Sequence, residues 1–348
     1  MQGEIRTVAG DSPKALLNRG TRCVWLWLVV LVATASVHAQ TCQSASDIDP
    51  AVRSALETTG KRYFDLAVRG DSATLQQNSI AAVAASFSGI EAAVKDNQAA
   101  FSGAHATVRP PFVLTLEGSA PLENAEFLCG VFGRSGQTSD SAVFMLHNLP
   151  PGKYGVAIID AQGGQDPRTL TMILQQVGTD WKLAGFYARP VKVNGHDGAW
   201  FAQRAREFKV KGQTRNAWLY FREATTLSAP VDFMSTLVTD KLYDEMQTVL
   251  PSDLPVNGTT VDVSAGAKTY RVTEVFPLAV GNDLDVVAKY QAADVSNTAQ
   301  TYQENMAVTK ALLAKFPEFR EAFAGVIVRA VEPSGRDYGS LLAMKDIK

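Results

Sequence analysis

Apolar residues recur at helical spacing in two consecutive blocks between Trp200 and Pro230. The members of the two blocks are Phe201, Ala205 and Phe208, then Ala217, Trp218, Phe221 and Ala224. Gly212 separates the blocks and Pro230 ends the second, so the pattern predicts a helical hairpin. Because such short helices are not stable alone, we expect the hairpin to pack on the structure before and after it.

The segment before the hairpin begins with helices and continues with strands. Asp49-Pro50 supplies an N-cap and a first helical residue, Arg69-Gly70 ends that helix, and two Ala-rich helices follow up to Phe101. Short β-rich runs then cover 112–116, 126–132, 141–146, 152–159, 168–177 and 181–188. The last two runs flank Gly178, a pattern typical of a β-hairpin.

The segment after the hairpin repeats this mixture. Its pattern predicts one helix or two short helices over 232–250, then strands over 259–263, 269–276 and 284–291. A helix over 298–323 with a kink or break at Pro317 and strands over 325–331 and 338–344 follow. The predicted fold class is therefore α+β: helices followed by a curved, cone-like antiparallel sheet, a central hairpin and a second small lobe. The predicted boundaries are a linker at 40–47, the first lobe at 48–190, the hairpin at 195–232 and the C-terminal lobe at 233–348.

The first 39 residues have the features of a secretory signal peptide. Arg19 and Arg22 precede an apolar run of 14 residues, 24–37, and the sequence 37–39 ends in a small residue, Ala39. The run is short for a bilayer span. We expect cleavage after Ala39 and a secreted or periplasmic mature chain without a transmembrane segment. An uncleaved anchor is the alternative, because the stretch before the run is long for a signal peptide.

Removal of the signal peptide takes away Cys23 and leaves Cys42 and Cys129. Two thiols in an oxidising compartment favour one disulfide. The alternative is a buried, unpaired Cys129 and a free Cys42.

Two resemblances follow from these patterns. The order of elements over 48–190, and the sequence QQVGTDWKLAGFYAR at 175–189, resemble the cone-shaped fold of ketosteroid isomerases and the nuclear transport factor family. The resemblance implies a cavity for a carried ligand or an isomerase-type reaction. The Asp and Tyr pair of the catalytic members matches no motif here. Asp65 and Tyr63, or Glu126 and Asp160, are the residues that could supply the acid that moves a proton and the donor that stabilises the oxyanion.

The hairpin itself resembles a single tetratricopeptide repeat. The matching positions are Ala205, Phe208, Gly212, Ala217, Phe221, Ala224 and Leu227, whereas Pro230 falls one residue late and Arg204 replaces the expected Leu. Solenoids of such repeats need about three units. The resemblance therefore implies a packing device or a binding groove.

No pattern indicates a catalytic motif, a metal site or a cofactor. His105, His147 and His196 each lack a second ligand at metal-like spacing, and no phosphate-binding loop or nucleophile elbow is present. Of the three, His147 is the one expected near a cavity.

The charge pattern points to the hairpin. Residues 182–230 contain nine basic and three acidic residues, whereas 40–181 contain nine and 14, and 231–348 contain 11 and 16. The candidate binding residues are Arg204, Lys211, Arg215, Trp200 and Trp218. They could bind a protein, lipid headgroups or an anionic envelope polymer, or balance the acidic lobes internally. The signal peptide and overall acidity argue against nucleic acid.

We therefore expect a non-enzymatic binding or interaction protein of the cell exterior or periplasm. The alternative is a small-molecule enzyme or carrier that uses the cavity of the first lobe. A buried carboxylate that faces a Tyr or His in that cavity would favour the enzyme.

Overall fold

Helices, two sheets, a helical hairpin and a third large sheet follow one another along the chain. The computed structural model describes residues 39–134, 136–163, 166–256 and 258–347. Residues 1–38 of the predicted signal peptide, with Cys23, lie outside these residues, whereas Ala39 is described and its carbonyl accepts from the Glu117 amide at 2.9 Å. The helices are α1 (Pro50–Arg69), α2 (Ser72–Gln77), α3 (Ala81–Ala84), α4 (Ser88–Phe101), α5 (Gly198–Val210), α6 (Thr214–Ser228), α7 (Leu237–Gln247), α8 (Thr298–Lys315), α9 (Phe319–Ala322) and a 3-10 turn at Met344–Asp346. The strands are β1 (Gln40–Gln43), β2 (His105–Val108), β3 (Phe112–Leu116), β4 (Leu122–Cys129), β5 (Phe132–Gly133), β6 (Gly136–Gln137), β7 (Ala142–Leu149), β8 (Gly152–Gln162), β9 (Arg168–Val177), β10 (Asp180–Pro190), β11 (Lys192–Val193), β12 (His196–Asp197), β13 (Met234–Thr236), β14 (Val261–Ala265), β15 (Lys268–Val280), β16 (Asp283–Gln291), β17 (Gly325–Val331) and β18 (Asp337–Ala343). The fold is mixed α+β, as predicted.

Helices α1–α4 cover one face of an antiparallel sheet with the order β1-β3-β8-β9-β10, in which β2 also pairs with β8. The Asp49 side chain caps α1 by accepting from the Ala51 amide at 2.8 Å, and Gly70 ends it with φ 69°. The helix–sheet core between them is filled by buried side chains that include Leu56, Phe64 and Phe101. Phe64 and Phe101 meet edge to face, with ring centroids 5.2 Å apart.

The other face of this sheet packs on a three-stranded sheet with the order β13-β7-β4. A disulfide joins Cys42 of β1 to Cys129 of β4, with Cα atoms 5.0 Å apart. Of the two arrangements that the sequence left open, the structure contains the bridge. The structure differs from the predicted 40–47 linker, because Gln40–Gln43 form a strand paired with β3.

The predicted helical hairpin is confirmed as α5 and α6, with Gly212 between them at φ 75°. Its packing differs from the predicted shared wall. The buried apolar residues of α5 and α6 belong to one core with the C-terminal sheet and α8, and that core contains none of the residues of the other two cores. The hairpin is therefore a structural part of the C-terminal half.

The C-terminal sheet has the order β14-β15-β16-β17-β18. Its strands are antiparallel except β16 and β17, which run parallel and are connected through α8 and α9. The chain also crosses back after the hairpin, since β13 pairs with β7 of the first half and the Thr171 hydroxyl donates to the Pro230 carbonyl at 3.1 Å. Within the described ranges, no helix has the length and apolar character that a membrane crossing needs.

Candidate functional site

The three predicted binding cations of the hairpin are held by carboxylates of the same chain. Arg204 contacts Glu207 at 2.7 Å and Glu321 at 3.6 Å, and Lys211 also pairs with Glu321. Arg215 Nη1 contacts Glu318 at 2.7 Å. The guanidinium of Arg215 also binds Asp253 and lies 5.0 Å from the Phe316 ring centroid. These cations balance acidic residues of the C-terminal half, the internal-balance alternative that the charge pattern allowed.

The two predicted tryptophans lie in different surroundings. Trp200 is 38% exposed and stacks on His196, with ring centroids 3.7 Å apart. Trp218 is 5% exposed and lies inside the hairpin core. The five predicted binding residues therefore do not form one continuous open surface.

Arg215→Ala is expected to lower the free energy of unfolding at pH 7 by roughly 1–2 kcal/mol, because it leaves Glu318 and Asp253 without their partner. The hydrogen bond from Arg215 lowers the pKa of Asp253 below its ordinary value of 3.8. A lowered folded-state pKa gives stability that is present above pH 3.8 and is lost as the pH falls through the folded value.

Urea unfolding of the parent and Arg215→Ala from pH 7 towards pH 3 tests this. The difference between the two proteins should narrow in acid, and a difference that stays constant over this range would contradict the assignment. The control is Arg53→Ala, which removes an exposed pair with Glu57 and should change stability by less than about 0.5 kcal/mol.

Arg222 of α6 differs from the other arginines of the hairpin. Among the described residues it forms no ion pair, and its one hydrogen bond runs from Nη1 to the Val275 carbonyl at 2.9 Å. The guanidinium lies 4.8 Å from the ring centroid of Trp218, one helical turn earlier. Burial lowers the pKa of Arg222, with the charges of Glu274 and Glu223 acting in the opposite direction. Arg222 keeps its charge despite this lowering of its pKa. The N–H groups of the guanidinium other than the one bonded to Val275 have no acceptor among the described residues.

Two cavities meet at Arg222. The smaller has a volume of about 340 Å³ and lies between α6, α7 and β13. The larger has a volume of about 580 Å³ and lies between α6, α7, residues 250–256 and 258–260, and β15. Arg222, Tyr243 and Met246 line both. We call the two together the Arg222 cleft. Their sizes fall in the range of small-molecule sites.

Local structure explains why Arg222 faces this cleft. The pairing of β14 with β15 ends at Val272, and the β15–β16 register shifts between Val272 and Glu274. Because β14 pairs with β15 only from Lys268 to Val272, the β14-side edge of β15 has no described strand partner beyond Val272. Arg222 occupies that edge by donating to Val275, and its remaining N–H groups are left for the cleft.

The carboxylates that line the cleft already have partners. Glu274 pairs with Lys289 at 2.9 Å, Asp232 pairs with Arg189, and Asp240 accepts from the Gln137 amide. Trp218 lines the larger cavity, and its Nε1 is buried without an acceptor among the described residues. In this cleft Arg222 has a carbonyl partner and the Trp218 ring but no carboxylate contact, whereas Glu274 and Asp232 each contact a cation and Asp240 accepts from a neutral amide.

Glu223, the residue after Arg222, is buried on another side of α6. It is 6% exposed, and burial raises its pKa to about 7, while the Arg222 charge opposes the rise. No described residue donates a hydrogen bond to it. Since Glu223 lines neither cavity of the Arg222 cleft, we assign it to the packing of the hairpin.

The acids considered for the first lobe are paired or exposed. Asp160 forms a two-point contact with Arg109, at 2.7 Å for each oxygen, and Asp65 contacts Lys61 at 3.3 Å. Glu126 is exposed. The Tyr63 hydroxyl donates to the Trp181 carbonyl at 2.9 Å. The structure thus brings neither predicted acid pair together as a free proton-transfer unit.

A groove of about 650 Å³ does lie in the first lobe, between α1 and the β9–β10 turn. It contains Arg62, which donates to the Asn78 side chain at 3.3 Å and lies over the Tyr63 ring. Small side chains of α1 form much of the wall. His147 lies elsewhere, exposed on β7, with Nδ1 2.8 Å from the Asn124 amide oxygen.

No group of three or more His, Cys, Asp or Glu side chains in the described ranges has an arrangement that could hold a metal ion. Comparisons of the chain with protein-family models, with curated proteins and with solved structures found no match. The resemblances to the cone fold and to the tetratricopeptide repeat therefore gain no support from those comparisons. Arg62 in the groove of the first lobe and Arg222 in its cleft both lack a carboxylate contact among the described residues, but Arg62 is exposed whereas Arg222 is partly buried.

Proposed function

We propose that the protein is a non-enzymatic binding protein that acts outside the cytoplasm and holds its ligand in the Arg222 cleft. The ligand would enter with an anionic oxygen group directed at the Arg222 guanidinium. A planar guanidinium with free N–H groups suits carboxylate or phosphate oxygens.

The observation that carries this proposal is the contrast between Arg222 and its neighbours. Arg204, Arg206 and Arg215 on the same hairpin each bind a carboxylate of the chain, whereas Arg222 has only the Val275 carbonyl. The charges of Glu274 and Glu223 act on Arg222 without forming an ion pair with it. An anionic ligand would place an oxygen anion in direct contact with this partly buried guanidinium, and part of its binding free energy would come from that contact.

Two observations support binding without catalysis and a location outside the cytoplasm. The carboxylates of the cleft are engaged by Lys289, Arg189 and Gln137, so none is placed to move a proton. The disulfide between Cys42 and Cys129 suits an oxidising compartment, in agreement with the predicted signal peptide.

Arg222→Gln is expected to weaken the binding of simple anions at least about tenfold, because it removes a charge-assisted contact from a partly dry site. Thermal-shift titrations of the mature chain with acetate, inorganic phosphate and galacturonate would measure this. The parent should be stabilised in a saturable way by at least one of them, and Arg222→Gln should lose that response.

Arg53→Gln is the matched control, since it makes the same chemical change at an exposed pair with Glu57 on α1. It should respond like the parent. Equal responses from all three proteins would show that the anions bind elsewhere, and the absence of any response would remove the support for an anion site at Arg222.

A further inference from the structure

Resting on the proposed function, we infer that the ligand of the Arg222 cleft is an acidic carbohydrate, a short chain of sugar rings that carry carboxylates. One carboxylate binds Arg222 and a neighbouring ring packs on Tyr243. The cleft combines three groups that suit such a molecule: a guanidinium without a carboxylate contact, an exposed aromatic ring and several neutral polar side chains.

Neutral polar groups form much of the cleft wall. Thr225, Thr226 and Ser235 line the smaller cavity, and Thr259, Thr260 and Thr273 line the larger. The hydroxyls of Thr225, Thr259 and Thr273 donate to backbone carbonyls of the chain and are left to accept from a ligand. The larger cavity also has the amides of Gln247 and Gln291, which have no hydrogen-bond partner within the described chain. Hydroxyls and amides both donate and accept, as the hydroxyls of a sugar do.

Tyr243 supplies a flat apolar surface between the two cavities. It is 54% exposed and lines both of them. The C–H face of a pyranose ring can pack on such a ring while the sugar hydroxyls reach the polar wall. Because the cavities of about 340 and 580 Å³ adjoin at Tyr243, the cleft has room for more than one ring.

The structure argues against an added peptide strand. The open edge of β15 would be the place for it, but Arg222 already occupies the Val275 carbonyl there and Pro277 has no N–H to offer. A lipid chain fits less well too, because Asp232, Asp240 and the threonines line the smaller cavity.

Isothermal titration of the full mature chain tests the inference with three probes of similar length: a galacturonic acid trimer, the neutral galactose trimer and triglutamate. We expect the acidic trimer to bind at least about tenfold more tightly than either of the other two. Arg222→Gln should lose that advantage. Tyr243→Ala should weaken binding of the acidic trimer several-fold. Acetate or phosphate should still stabilise Tyr243→Ala in the thermal-shift titration, because Arg222 is unchanged in that variant.

Tyr302→Ala, an exposed tyrosine on α8 with 41% exposure, is the control and should bind like the parent. Thermal unfolding of each variant checks its fold. Equal affinity for the neutral trimer or for triglutamate, or an unchanged affinity in Tyr243→Ala, would overturn the carbohydrate assignment. If the binding of acetate or phosphate still requires Arg222 in that case, the proposed function stands without the carbohydrate assignment. If the binding of no probe requires Arg222, the proposed function and the carbohydrate assignment both fail.

Discussion

Glu223→Gln is expected to stabilise the protein at pH 8 by about 2–3 kcal/mol. Glu223 is 6% exposed and receives no hydrogen bond from a described residue, so its ionised form is poorly solvated in the folded state. Burial raises its pKa from 4.5 to about 7. Gln has the shape of the protonated acid without its charge, so the variant avoids the unfavourable ionisation.

The sign of the pH dependence is set by the raised pKa. Between pH 4.5 and about 7 the folded chain holds a proton at Glu223 that the unfolded chain has released, so this stability is full below pH 4.5 and is lost as the pH rises to about 7. Urea unfolding at pH 5 and pH 8 measures the effect. Parent and variant should be similar at pH 5 and should diverge at pH 8; a variant that is less stable at pH 8 would contradict the assignment.

Cys42→Ser is expected to lower the free energy of unfolding by roughly 2–4 kcal/mol, because the disulfide closes a long loop in the unfolded chain. The bonded cysteines are 87 residues apart. The bridge also holds β1, whose pairing with β3 covers only four residues, against β4. We expect the first strand to separate from the sheet more readily once the bridge is removed.

Urea unfolding with and without a reductant that reaches the bond measures this. The parent should lose stability on reduction, and Cys42→Ser should not respond to the reductant. A parent whose unfolding midpoint is the same in both conditions would show that the bridge contributes nothing to stability.

Local signals predicted a large part of the fold. The Asp49-Pro50 start and the Gly70 end of α1 are as predicted, and β9 and β17 have the predicted bounds. Gly178 and Gly212, both with positive φ, mark the two turns that the pattern indicated. These signals depend on neighbours in sequence, so the sequence alone displays them.

Features set by distant partners could not be predicted in the same way. The segment at 40–43 is short and polar and is a strand only because β3 lies beside it. The first of the two Ala-rich helices predicted after Gly70 is instead two short helices, α2 and α3, separated by Ser79, which bridges to Leu183 on β10. A one-residue tertiary contact of this kind overrides local helix propensity.

The candidate site shows the same limit. The excess of basic residues in 182–230 indicated the hairpin correctly as the cationic part of the chain, but not which cation lacks a partner. Arg215 binds two carboxylates that are distant in sequence, Asp253 at a separation of 38 residues and Glu318 at a separation of 103. Arg222 contacts no carboxylate among the described residues. Its spacing of four from Trp218 was the one local hint that the two share a helix face.

The side-chain NMR signal of Arg222 gives the most direct test of whether this guanidinium binds the ligand. Its ¹⁵Nε resonance would be assigned by its loss in Arg222→Gln and followed during titration with the galacturonic acid trimer and with acetate. We expect a saturable shift of this resonance, with those of Arg204 and Arg215 nearly unchanged because their carboxylate partners remain in place. An Arg222 resonance that stays fixed while another arginine responds would contradict the assignment of the binding site to the Arg222 cleft.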